Sequence, residues 1–236
     1  LVEGTAGELQ VPIYWLSMSA PRMSDDYLMH MISLVEPESI LLMEDIEELM
    51  KTFRSDYNEL PMFLFGHSMG GNLVVNYVIR KKTNELRGFV ISSPRLKLAC
   101  DPPAWQVAAG NYMSKIFPGF SQENNLDPSG LSKISAVAEA YTKDPLVHSK
   151  ITAGLYVNIS KAGNFALANA DKIEIPGYAY HGAKDPVTNY DATAALAASN
   201  TKMLWKGYEN VYHEGHNDEE QEEIINDLIS WLLKNL

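Results

Sequence analysis

Met62-Phe63-Leu64-Phe65-Gly66-His67-Ser68-Met69-Gly70-Gly71-Asn72 decides the fold reading of this 236-residue chain. Its first four residues are an apolar run that stops at Gly66, which predicts a short strand buried on both faces. Beyond Gly70-Gly71, Leu73, Val74, Tyr77 and Val78 fall at helical spacing, and Arg80-Lys81-Lys82 suit a helix C-terminus. Between strand and helix stands Gly-x-Ser-x-Gly, Gly66 to Gly70. From composition alone that pattern would arise in roughly one chain in ten of this size, so its setting must carry the argument. A serine on a tight strand-to-helix turn lifts its hydroxyl above the sheet edge, and flanking glycines let the backbone pass close to itself. The N–H of Met69, at the helix N-terminus, is then aimed where an oxyanion would form. Ser68 is read as a nucleophile rather than a helix-capping serine.

The alternation continues outward. Gly88 to Ser92, closed by Ser93-Pro94, predicts a second buried strand, and Ile175 to His181 and Thr201 to Tyr208 predict two more. Asp191 to Ala198 reads as a helix between the last two. Asn217 is placed as the cap of the final helix, with Glu220 three residues on and Ile224, Ile225, Leu228, Trp231 and Leu232 at helical spacing. The acidic run Asp218 to Glu223 is then its solvated first turn. Together these predict an α/β fold, a mostly parallel sheet flanked by helices. Residues 95–170 break the rhythm and read as an insertion, between core segments 1–94 and 171–236. Trp105, Val107, Tyr112, Met113, Ile116, Phe117 and Phe120 give the insertion a large apolar payload, either a satellite core or a cap over an apolar pocket.

Thirty acidic residues against 19 Lys and Arg leave a net charge of −11, which repels phosphate backbones and argues against nucleic acid as a partner. The single cysteine, Cys100, excludes an internal disulfide framework and suits a reducing compartment. No apolar run is long enough to span a bilayer, and a cytoplasmic protein is expected. The first residue is Leu1, so translation is expected to start upstream.

A serine hydroxyl needs a base and a group that orients the base. On an α/β-hydrolase sheet the order along the chain is Ser, then Asp or Glu, then His. Asp185, in His181-Gly182-Ala183-Lys184-Asp185-Pro186-Val187, follows a predicted strand end, where catalytic groups of parallel sheets gather. His213 follows the last strand and precedes the last helix. Asp144, Asp171 and Asp191 are rival acids, and His216 is the rival base. His213-Glu214-Gly215-His216-Asn217 is no zinc-binding H-E-x-x-H, because that motif needs histidine where Asn217 stands. His30, His67, His148 and His181 read as structural or surface residues rather than bases.

Four stretches, Pro61 to Asn72, Ser92-Ser93-Pro94, Tyr141 to Val147 and His181 to Val187, resemble the monoacylglycerol lipase and lysophospholipase branch of the α/β hydrolases, a serine aminopeptidase-like group. Tyr208 to Asn217 is similar to that family's histidine loop, with His213 at the catalytic histidine. The resemblance implies hydrolysis of a lipid-like carboxylic ester, no cofactor, no metal, and a cap built from the insertion. A transient membrane contact of that cap is expected, with substrate contacts from Trp105, Tyr112 and Met113 and from His67 beside the nucleophile. The N-terminal part departs from the pattern. No His-Gly pair precedes Ser68 to supply a second oxyanion N–H, since His30 is followed by Met31. Val11 to Leu16 reads as an early strand and Glu38 to Phe53 as a helix. Only about twenty residues separate them, too few for two strands and a helix, so the N-terminal core is expected to be reduced or incomplete. That departure motivates an alternative, a lipid-binding relative without a full oxyanion hole; a further alternative is a serine aminopeptidase.

Overall fold

The structure, a computed structural model, describes residues 15–16, 39–57 and 60–236. Among them, five strands form one parallel sheet: β1 (Trp15–Leu16), β2 (Met62–His67), β3 (Leu86–Ser92), β6 (Gly177–Gly182) and β7 (Met203–Tyr208), adjacent in that order. Of the expected early strand, β1 is seen beside β2, while Val11 to Tyr14 and the His30-Met31 pair lie outside the described residues. The expected strands at Met62, Gly88, Ile175 and Thr201 are all present, within two residues of their predicted bounds. The first three are buried along almost their whole length, whereas β7, at the sheet edge, is only partly buried and carries Lys206.

A strand order that follows chain order, with right-handed crossovers, puts the connecting helices on one face of the sheet. Met62, Leu64, Phe89, Ile91 and Ala179 point to that face. There they pack with Met43, Ile46 and Met50 of α1 (Ser39–Asp56), Leu73, Val74 and Tyr77 of α2 (Met69–Arg80), and Leu196 of α6 (Tyr190–Ala198). The alternate residues Phe63, Phe65, Val90, Tyr178 and Tyr180 meet Ile224, Leu228, Trp231 and Leu232 of α7 (Gln221–Lys234) on the opposite face. Trp231 stacks on Tyr178 at 5.7 Å and meets Phe63 edge-on at 5.8 Å.

The start of α7 differs from the expectation. Asn217 ends a 3₁₀ turn, Gly215–Asn217, and α7 begins at Gln221 with Glu220 at its N-cap. Asp218, expected in a solvated turn, is fully buried. Its Oδ1 accepts the N–H groups of Lys133 and Glu219 at 3.0 and 2.9 Å, and its Oδ2 that of Tyr212 at 2.9 Å. A carboxylate so placed ties a loop crossing rather than capping a helix, because it joins local donors from Tyr212 and Glu219 to one, Lys133, 85 residues away.

Within residues 95–170 lie α3 (Ala104–Ile116), a two-stranded antiparallel ribbon of β4 (Ser121–Glu123) and β5 (Lys150–Thr152), α4 (Ser135–Lys143) and α5 (Ala153–Ala168). No residue of α3 is buried, and Trp105 and Tyr112 are 69% and 65% exposed, so the aromatics there form no satellite core. α5 behaves differently and seats a face of small residues on α2 and the segment after β3. Asn72 Nδ2 donates to the carbonyls of Arg95 and Ile159 at 2.7 and 3.1 Å, and Asn76 Nδ2 to that of Ala162 at 3.0 Å. A Cβ at Gly163 would land on the Leu96 carbonyl. Gly163→Val is therefore expected to destabilise the fold by about 2 kcal/mol through overpacking, read as a lowered urea midpoint.

Candidate active site

The β2–α2 turn is strained at Ser68. Ser68 sits at φ 52°, ψ −115°, in the left-handed half of conformational space that side chains rarely enter. The turn is held from three sides: the Ser68 N–H donates to Ser92 O at 2.9 Å, and its carbonyl accepts from the N–H groups of Asn72 and Arg95 at 3.1 and 2.9 Å. A Cβ on Gly66 would strike the Gly70 carbonyl, which explains the glycine at that end of the motif. Met69, Gly70 and Gly71 open α2, so their N–H groups have no carbonyl within the helix to bond.

Asp185 follows the end of β6. The loops after β6 and β7 lie against each other there, with Ala183 N–H on Tyr208 O at 2.8 Å and Lys184 N–H on Val211 O at 3.0 Å. This contact carries Asp185 to His213, whose Nδ1 stands 2.7 Å from Asp185 Oδ2. His213 itself is backed by Gly130 and Leu131, since Gly130 O accepts its N–H at 3.4 Å and Leu131 O that of Glu214 at 2.7 Å.

The buried carboxylate has further donors that the sequence reading did not assign. His181 Nε2 and the Thr188 hydroxyl reach Oδ2 at 2.8 and 2.7 Å, and the N–H groups of Val187 and Thr188 reach Oδ1 at 2.7 and 3.1 Å. Burial alone would raise the Asp185 pKa, but the hydrogen bonds from His181 and His213 outweigh it and hold the carboxyl far below the usual range. Ionised, the carboxylate only accepts, so His181 and His213 both face it with N–H. His213 is left with an Nε2 lone pair, and His181 Nδ1 accepts from the Thr193 hydroxyl at 2.8 Å.

His67 is buried, with Nδ1 3.1 Å from Ser92 Oγ. Its ring lies between those of His213 and His216, at centroid distances of 4.7 and 4.9 Å. Burial, with His213 and His216 close by, holds the pKa of His67 well below the ordinary histidine value; burial and His213 pull His216 down to about 4. Of the rival bases, His213 and not His216 meets Asp185. Of the rival acids, Asp185 makes that bond, while Asp144 Oδ1 accepts from its own Leu146 N–H at 2.9 Å and Asp171 lies exposed in a 3₁₀ turn. Asp191 lies exposed in the first turn of α6. Trp105 and Tyr112 are exposed on α3 with Met113 half-buried beside them, and no described contact joins this trio to His67. The Ser68 hydroxyl makes no hydrogen bond among the described residues. Nor do those residues contain a cluster of acidic, histidine and cysteine side chains fit for a metal ion. No described helix is long and apolar enough to cross a membrane.

A model of the family described as serine aminopeptidase, S33, matches residues 37–220, most of the chain. The chain belongs to that family. Within the α/β-hydrolase superfamily it falls on the monoacylglycerol lipase branch. It is 32% identical over 197 residues to a monoacylglycerol lipase of Mycolicibacterium smegmatis, covering 82% of this chain and 69% of that protein. An abhydrolase domain-containing protein of Dictyostelium discoideum is 29% identical, over 82% of this chain but 21% of its own length. The chain thus spans between a fifth and about two thirds of the curated relatives it matches first. The monoacylglycerol lipase structure of Paleococcus ferrophilus superposes with a TM-score of 0.74 at 28% identity, covering 82% of this chain and 76% of that one. A soluble variant of the Saccharomyces cerevisiae monoglyceride lipase shares the fold, with a TM-score of 0.73 at 21% identity over 82% of this chain and 68% of its own.

The depressed histidines make stability depend on pH. Below about 6.5 the unfolded chain takes up a proton at His216 that the folded chain refuses until about pH 4. Stability should therefore fall as pH drops through that window, by about 3 kcal/mol from this group, with His67 adding a loss of the same sign. Urea unfolding at pH 7 and pH 4.5 measures the fall, and His216→Gln should make it smaller.

Proposed function

We propose that this chain is a serine hydrolase that cleaves carboxylic esters of lipid-like substrates, monoacylglycerols or lysophospholipids, through Ser68, His213 and Asp185. The observation that carries the reading is the buried 2.7 Å bond from His213 to an ionised Asp185, with His213 packed on the ring of the residue before a strained Ser68. The monoacylglycerol lipases among the relatives support the substrate class.

Ser68 Oγ attacks the acyl carbon while His213 Nε2 takes its proton, and Asp185 stabilises the imidazolium that forms. The Met69 N–H receives the oxyanion. Collapse expels the alcohol, protonated by His213, and leaves an acyl-Ser68 ester. Water, activated by the same imidazole, then releases the fatty acid and restores the serine. Nucleophile–base bonds of this kind commonly close only with substrate in place, which accommodates the unbonded Ser68 hydroxyl.

In this reading, residues 95–170 form a cap on a core of residues 1–94 and 171–236, with α5 as its anchor. The exposed apolar side of α3, with Trp105, Tyr112 and Met113, offers the acyl chain and a lipid surface a landing place. A fluorophosphonate probe should label the protein at Ser68 and leave Ser68→Ala unlabelled. Asp185→Asn should lower ester turnover by roughly 10³–10⁴-fold with little change in KM. Labelling of Ser68→Ala, or full turnover by Asp185→Asn, would refute the assignment.

A further inference from the structure

A cavity of about 380 Å³ opens between α3 and α5, and its wall begins at the residue whose N–H holds the Ser68 carbonyl, Arg95. Val107 and Val157 line it from the two helices, and Arg95, Lys97 and Lys161 supply three positive charges. Asp101 is the one carboxylate in the lining, so the wall carries a net charge of about +2 at neutral pH.

That balance runs against the molecule as a whole, which carries 30 acids and a net charge of −11. Among the described residues, none of the three cations has a carboxylate within ion-pair distance, whereas Lys81 has one and Lys133 and Lys206 have two each. Arg95 makes a long 3.4 Å bond from Nη1 to Ser160 Oγ, lies 5.3 Å from the centre of the Tyr156 ring and has the Tyr156 hydroxyl as a further neutral partner. Burial lowers its pKa, and the contact with Tyr156 offsets that only in part. A guanidinium whose described side-chain partners are all neutral, in one wall with two lysines and apolar side chains, matches a planar or tetrahedral oxyanion carried on a hydrocarbon chain.

We propose that this cavity binds the anionic head of an amphiphile, a phosphate or carboxylate attached to an apolar chain, through Arg95 with Lys97 and Lys161. Because the cavity starts beside the Ser68 turn, the proposal deepens the ester-hydrolase reading: the preferred esters are those whose alcohol portion carries an acidic group, rather than neutral glycerides.

The test is made on Ser68→Ala protein, so that binding is read without turnover and stands apart from the probe labelling that tests the hydrolase reading. Isothermal titration below the micelle concentration compares dodecyl phosphate, laurate, inorganic phosphate and the neutral 1-O-dodecylglycerol. Dodecyl phosphate should bind at least tenfold more tightly than dodecylglycerol in low salt. Arg95→Gln should abolish that preference, and Lys161→Gln, on the exposed face of α5, should reduce it several-fold. Laurate binding as tightly as dodecyl phosphate would support a carboxylate-tolerant site, and inorganic phosphate binding more weakly than either would support the need for a chain. Equal affinity for the charged and neutral amphiphiles, or a preference that survives both substitutions in folded protein, would overturn the proposal.

Discussion

A carboxylate taken out of water is stable only where donors replace its hydration, and Asp185 meets that condition with donors on both oxygens. Oδ2 gathers His213, His181 and the Thr188 hydroxyl, while Oδ1 takes the N–H groups of Val187 and Thr188. Much of the surrounding architecture follows from satisfying this group. His181 is held by Thr193 of α6, and the Thr188 hydroxyl also lies 3.2 Å from Ser93 O. The carboxylate therefore ties β6, α6, the turn after β3 and the histidine loop into one polar knot at the carboxyl ends of the strands. Its charge, fixed by those donors, makes Nδ1 the nitrogen through which His213 donates.

The two faces of the sheet divide the work. The face under α1, α2 and α6 is mostly aliphatic and carries the helices that frame the Ser68 turn. The face under α7 is aromatic, and Tyr180 extends that layer to His216, 3.4 Å away at Nδ1. His67 and His216 thus sit where the aromatic layer meets the polar knot, which is why both are driven neutral. In the mechanism proposed above, such a setting beside His213 would favour proton movement to and from Ser68 over leakage to solvent.

Much of this was legible in the chain because burial on both faces writes the inner strands β2 and β3 as largely apolar runs. The order Ser68, Asp185, His213 was legible for a similar reason: each follows a strand end. Asp218 was misread because an acidic run looks solvated, and the partners that bury it belong to Ser132 and Lys133. The role of His181 was hidden because it lies inside a strand, where a histidine reads as filler; its spacing of four from Asp185 across a turn was the available signal. α5 was absorbed into the insertion because Gly154, Ala162, Gly163 and Ala166 make a contact face without a strong apolar stripe. Small residues allow close approach, but they do not announce it.

Gly130 to Lys133 occupy an unusual position, within the insertion by sequence yet backing the histidine loop through Gly130 O, Leu131 O and the Asp218 carboxylate. Their geometry is part of how the base is aimed. Among the described hydrogen bonds, the turn at Gly130 reaches the histidine loop, and α3 and the ribbon do not. Transplanting a cap between relatives would succeed only with splice points that leave this short turn with the recipient's own scaffold.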